Sequence, residues 1–238
     1  MMSTTLDISV IILFKHRDEQ FQRALNSSQF AKEIITVENK EITDFSQVRN
    51  QALKKATHEW VFFLDSDELI THESVAEISR IIHKNSLDGV MVKRQDVFYH
   101  QLINYGEAGN MRMLRMGKKS KMAWVRPVHE VAKIDGTVGR SNIRIIHCAH
   151  SSLNKFLTSI INYAEIEAKY RFGQDYKLNL YSLITFPVGK FINNFLLKRG
   201  ILDGWRGLSY ALMMSLHSFC VRIFQYELQY QKNHEKNI

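Results

Sequence analysis

Asp65 and Asp67 stand one residue apart at the end of Trp60-Val61-Phe62-Phe63-Leu64, a bulky apolar run with neither Gly nor Pro. Two carboxylates at that spacing can hold a hard divalent cation such as Mg²⁺ or Mn²⁺ and leave positions for phosphate oxygens and water. The same acids can instead cap the next helix and open a turn. Their place favours chemistry, because ligands of open α/β sheets collect at the carboxyl ends of buried strands. His147 and His150 form a second candidate pair, three residues apart at the end of another apolar stretch. On a strand that spacing sends them to opposite faces. One reading is a packed histidine; the other is a ligand completing a metal shell, with His150 the expected one. His129-Glu130 is not a zinc-protease motif, since Lys133 stands where the second His is needed.

The elements that must position these residues are legible in order. Ile8–Phe14 is near-continuous and β-branched, a second buried strand. Residues 17–27 suit a short helix, and Glu33–Glu38 a strand that again ends in an acid, Glu38. Phe45, Val48, Ala52, Leu53 and Ala56 fall at helical spacing, with Arg49 on the opposite side. Thr71 is a candidate N-cap for a helix carrying Val75, Ile78, Ile81 and Ile82. This alternation predicts an α/β fold with a mostly parallel, doubly wound sheet. Beyond Asp88, the segments 89–94, 96–100, 111–116, 128–133 and 143–147 predict short added strands, partly antiparallel. From Leu153 the chain turns helical, with Phe156, Ile160, Tyr163, Ala164 and Ala168 on one face. Segments near 178–198 and 207–230 follow, the first expected to break at Phe186-Pro187-Val188-Gly189. Leu208, Leu212, Leu216, Phe219 and Ile223 form a stripe that suits core packing, a dimer seam or an interfacial membrane helix. The expected division is a catalytic domain over 1–150 and a helical extension over 151–238.

Charge is uneven. Residues 1–92 carry ten Lys/Arg against fourteen Asp/Glu, residues 93–144 eleven against four, and residues 145–238 eleven against six. A basic rear half suits an anionic partner, although no dense basic run interleaved with aromatics points to nucleic acid. Cys148 and Cys220 are the only cysteines. With no disulfide framework, no leader-like start and no uninterrupted apolar run of about 18 residues, the expectation is a cytoplasmic protein.

Ser9-Val10-Ile11-Ile12, Phe45-Ser46-Gln47-Val48-Arg49-Asn50-Gln51-Ala52-Leu53 and Trp60–Glu68 together resemble glycosyltransferase family 2. Trp124-Val125-Arg126-Pro127-Val128-His129-Glu130, Ile146–His150, Phe186–Ile192 and Gly200–Gly204 resemble its lipopolysaccharide-core β-glucosyltransferase branch, and the likeness runs from about residue 8 to 225. Two places depart from the family pattern: Glu38-Asn39-Lys40-Glu41 replaces an Asp with a Ser/Gly-rich turn, and Phe14-Lys15-His16-Arg17 replaces a Thr/Tyr-Asn-Arg-like turn.

The resemblance implies a GT-A fold and inverting transfer of a hexose, glucose first, from a UDP-sugar donor to a lipid-linked saccharide such as the lipopolysaccharide core. It implies Asp67 on an Mn²⁺ or Mg²⁺ ion, and Asp65 on the ribose or the metal's water shell. Glu130 becomes the candidate base; by its residues alone it would pair with Arg126 or Lys133. Glu38 and Arg49 would meet the nucleotide. Trp124 would stack on a sugar or belong to the core, and Arg126 would clamp phosphate. The basic, apolar C-terminal helices would rest peripherally on the inner membrane. Two other readings are an inactive sugar- or lipid-binding protein of this fold and a haloacid-dehalogenase-like phosphatase. Against the latter, Leu69 replaces the expected Thr or Val, and the D-x-D strand is third rather than first.

Overall fold

The computed structural model describes residues 5–38, 44–109, 111–126, 130–150, 153–174, 176 and 178–235. The chain divides into two compact units, Met1–Gln95 with Met111–Ala149 and Asp96–Asn110 with His150–Ile238. The second unit thus takes in 96–110, which the sequence reading assigned to the first.

The first unit opens with β1 (Leu6–Phe14), α1 (Glu19–Ser27), β2 (Ala31–Glu38), α2 (Phe45–Lys55) and β3 (Trp60–Asp65). Asp18 and Asp44 start the two helices, their carboxylates accepting the N–H groups of Phe21 and Gln47. The three-residue β4 (Glu68–Ile70), which the sequence reading missed, leads to α3 (His72–Lys84). That helix ends on Asn85 in the left-handed region, φ 47°. The chain continues through β5 (Gly89–Phe98), β6 (Gln101–Leu102) and the single turn α4 (Gly106–Gly109). It returns as β7 (Met111–Lys118), β8 (Met122–Val125), β9 (Val131–Ile134) and β10 (Val138–His150). The strands expected at 89–94 and 96–100 are therefore one.

The main sheet has the order β2-β1-β3-β7-β5-β10-β4, with β6 beside β5. β1 pairs in parallel with both β2 and β3, whereas the β3–β7, β5–β7 and β4–β10 pairs are antiparallel. Alternation along β1 and β3 divides the core. Ile8, Val10, Ile12, Phe62 and Leu64 pack with Phe21 and Ala24 of α1 and Ile78 and Ile81 of α3. Ile11, Leu13, Val61 and Phe63 pack with Ala52 and Leu53 of α2 and with Met122, Trp124 and Ala132 of the β8–β9 hairpin.

The second unit contains α5 (Leu153–Gly173), α6 (Ser182–Ile192) and α7 (Gly204–Glu235) around a core of Phe98, Ile103, Ala108, Phe156, Ile160 and Tyr210. α6 does not break at Pro187 as expected. Pro187 is its sixth residue, so the missing N–H removes one bond, that to the Leu183 carbonyl, and the helix runs on into a π turn over Asn193–Leu197. The α7 stripe of Leu208, Leu212, Leu216, Phe219 and Ile223 is exposed, which removes core packing from its three readings. By length and composition alone, residues Gly200–Lys232 could also cross a bilayer.

Candidate active site

Register brings the acids together. Phe14 pairs with Glu38 and Leu13 with Asp65, so the parallel strands end at one edge. β3 stops where the Ser66 N–H donates to the Leu13 carbonyl at 2.9 Å and the chain turns into β4. Glu68 folds back to accept the Asp65 N–H at 3.1 Å, and the Asp67 carbonyl accepts the Cys148 N–H of β10 at 2.7 Å. The D-x-D turn is pinned from both sides.

Asp65 lies between two guanidinium groups. Arg49 Nη2 donates to its Oδ1 at 2.8 Å, and Arg115 Nη2 donates to its Oδ2 at 2.7 Å. Burial alone would raise the Asp65 pKa, but Arg115 and Arg49 override it and hold the carboxyl far below the usual carboxylate range. Arg115 also reaches Glu68 Oε1 at 3.1 Å, with Arg94 Nη1 3.6 Å from the same oxygen. Glu68 is fully buried; burial and then the Asp65 charge push its pKa up against Arg115, His147 and Arg94. Of two carboxylates sharing one guanidinium, Glu68 takes a proton first.

Arg49 connects this cluster to the candidate base. Its Nε and Nη2 lie 3.1 and 3.0 Å from Glu130 Oε1, and its guanidinium sits over the Trp124 ring at 4.5 Å. Glu130 Oε2 has no partner among the described residues, and the side chain is 18% exposed. Arg49 Nη1 is buried without an acceptor among those residues. The next residue, Asn50, clasps β8 by donating to the Trp124 carbonyl at 2.8 Å and accepting its N–H at 2.9 Å. α2 therefore both supplies Arg49 and ties down the strand that leads toward Glu130.

The other expected residues fall as follows. Asp67 stays open, 32% exposed, with Oδ2 3.4 Å from His147 Nε2. Glu38 is at the exposed end of β2. Arg126 is exposed, with a left-handed backbone at φ 73°. Trp124 is only 5% exposed and packs edge-on to Phe63 at 4.9 Å, so its ring supports Arg49 from within the core rather than lining an open surface. The His150 side chain, like Pro127, Val128 and His129, lies outside the described residues. Glu68, Arg94, Arg115 and Asn50 were not anticipated. The available signal was an arginine inside the apolar Met113-Leu114-Arg115-Met116 strand, since a charge there demands a buried partner.

Among the described residues no three His, Cys, Asp or Glu side chains gather to hold a metal ion alone. Asp65 has both oxygens engaged by arginine, which leaves Asp67, 32% exposed and with His147 Nε2 3.4 Å from its Oδ2, as the open carboxylate. That set fits a cation shared with ligand phosphates rather than one caged by protein.

A parallel half-sheet that ends in a D-x-D turn, joined to an antiparallel half, places the chain in the GT-A class of α/β fold. The family model described as Glycosyl transferase family 2 matches residues 9–131, just over half of the chain, and the chain belongs to that family. It is 30% identical over 81 residues to the SPbeta prophage-derived glycosyltransferase SunS of Bacillus subtilis (strain 168), and equally to glycosyltransferase SunS of Bacillus phage SPbeta. That match covers 33% of this chain and only 18% of the length of either relative. Among solved structures, S. aureus TarS is similar at TM-score 0.42 and 13% identity, covering 93% of this chain and 55% of that one. TarS 1–349 in complex with UDP-GlcNAc is similar at TM-score 0.44 and 11% identity, covering 95% and 92%.

Proposed function

We propose that this glycosyltransferase moves a hexose, glucose first, from a UDP-sugar to a hydroxyl of a lipid-linked saccharide such as the lipopolysaccharide core, with inversion at the anomeric carbon. The observation that carries the reading is the single Arg49 guanidinium shared by the donor-side acid Asp65 and the candidate base Glu130. Glu130 offers Oε2, which has no partner among the described residues, to the acceptor hydroxyl while Oε1 stays on Arg49. As the acceptor oxygen bonds to the anomeric carbon, Glu130 takes its proton, and the bond to the diphosphate breaks with the electron pair leaving on UDP. Asp67 and His147 would hold Mn²⁺ or Mg²⁺, which when bound supplies Lewis-acid stabilisation of the departing diphosphate. Asp65, kept ionised by its two arginines, suits a hydrogen bond from the ribose. Arg49 Nη1 lacks an acceptor among the described residues, and an oxygen of the sugar donor would provide one.

The acceptor and the peripheral inner-membrane site rest on the second unit. Tyr181, Ile184, Val188 and Ile192 form an exposed row along α6, and Trp205 is exposed at the start of α7. Exposed Lys198 and Arg199 lie between the two helices. An apolar row with cationic flanks suits an anionic lipid surface.

The test is thermal stability against UDP, GDP, CDP and ADP, each with and without Mn²⁺, since a ligand of the folded state raises the melting temperature by mass action. The expected result is a shift with UDP that needs Mn²⁺ and disappears in Asp67→Ala, followed by hexose transfer from the UDP-sugar. No shift with any nucleotide overturns the proposal, and binding without transfer favours the sugar-binding reading.

A further inference from the structure

β7 is irregular at one place. Along β5, Val90 pairs with Met116 and the next residue, Met91, pairs with Leu114, so Arg115 has no residue opposite it. This is a β-bulge, and the core records its effect. Met113 and Met116 both pack with Val90 and Val92 on one face of the sheet, while Leu114 packs on the other. Residues three apart cannot share a face in a regular strand, so one residue is absorbed at Arg115. The side chain so released runs, 7% exposed, to the carboxyl edge of β3. Its Nε rests 3.0 Å from Met113 Sδ, and its Nη2 lies 2.7 Å from Asp65 Oδ2 and 3.1 Å from Glu68 Oε1.

We propose that Arg115 is a positioning residue of the donor site, delivered by this bulge to fix the Asp65 carboxylate for a nucleoside-diphosphate sugar, with Glu68 holding the guanidinium in place. The inference rests on the donor reading given above. The opposing account makes Arg115 no more than the counter-ion of the buried Glu68. The two separate because Glu68 can be neutralised independently. Asp65 keeps Arg49 on Oδ1 when Arg115 is lost, so its charge remains partnered. What disappears is the second anchor, on Oδ2, that stops the carboxylate rotating.

The experiment compares Arg115→Met, Glu68→Gln and their combination by urea unfolding and by calorimetric titration with UDP and Mn²⁺. Arg115→Met is expected to lose stability, because the buried Glu68 loses its 3.1 Å contact and is left with the weaker influence of His147 and of Arg94 at 3.6 Å. Adding Glu68→Gln should restore the unfolding midpoint while UDP binding stays about tenfold weaker, the loss of roughly one charged hydrogen bond. In turnover the deficit should fall on the donor KM rather than on kcat. Should the double variant fail to fold, Arg115→Lys serves: it keeps the charge but lacks the planar guanidinium whose Nε rests on Met113 Sδ while Nη2 meets both acids, and the same weakening is expected. Wild-type UDP affinity in either folded variant overturns the proposal and leaves the proposed function standing. A wild-type protein that binds no nucleoside diphosphate overturns both.

Discussion

Arg49→Met tests whether one guanidinium organises the site. Arg49 is 3% exposed and makes charged contacts of 2.8 Å with Asp65 and of 3.0 and 3.1 Å with Glu130, besides lying 4.5 Å over Trp124. Hydrogen bonds to charged groups are worth about 1.5–3 kcal/mol each, and breaking a buried ion pair costs about 3–5 kcal/mol. Both carboxylates can recover some water, Asp65 being 31% and Glu130 18% exposed, and methionine retains most of the packing on Trp124. The expected loss is therefore about 2–4 kcal/mol at pH 7, read from urea unfolding. Because Arg115 and Arg49 lower the Asp65 pKa, the stability it confers is present above its unfolded value and is lost as the pH falls toward the folded one. The gap between wild type and Arg49→Met should thus hold down to about pH 5 and narrow below about pH 4. A double-mutant cycle with Glu130→Gln should return a coupling of about 1–2 kcal/mol. A loss under about 1 kcal/mol at pH 7, or a gap that widens in acid, would refute the reasoning.

Glu130→Gln should reduce hexose transfer by about 10²–10⁴-fold while UDP affinity stays at the wild-type level, and a parallel loss of both would remove it as the base. Asp67→Asn should abolish the Mn²⁺-dependent part of UDP binding and leave the unfolding midpoint unchanged, since its carboxylate is 32% exposed and lies 3.4 Å from His147 Nε2, too long for a strong ion pair. Gly207→Ala should destabilise the protein by about 1–3 kcal/mol, because a Cβ there would run into the Gly200 carbonyl; an unchanged melting temperature would contradict the packing of α7. Wild-type protein should float with anionic vesicles and Ile184→Asp/Val188→Asp should not; a wild type that stays in the soluble fraction would dismiss the membrane face.

The first half of the fold was legible because burial leaves a periodic trace. β1 and β3 are buried on both faces and read as unbroken apolar runs, and α1, β2 and α2 separate them at short, regular intervals. The D-x-D turn was equally plain, since its place at a strand end follows from chain order. Periodicity reports which side of an element is apolar, but it does not report what lies opposite. Arg49 reads as the solvated side of α2 and is in fact buried, because Asp65 and Glu130 arrive from distant segments to neutralise it. Trp124 reads equally as core or as a sugar platform, and only its contact with Phe63 places it in the core. The α7 stripe has the spacing of a core face and lies exposed, while Arg222 is buried against Phe186 at 4.0 Å.

By itself, then, the sequence determined the elements as far as β3, their order, the family resemblance and the acids that end the parallel strands, all of which depend on local composition and spacing. Only the tertiary structure decided which charges meet. A single unpaired residue on β7 changes the face that follows it and carries Arg115 to Asp65 and Glu68. No local pattern records that shift, because it is defined by the register against β5, and register is a property of two strands at once.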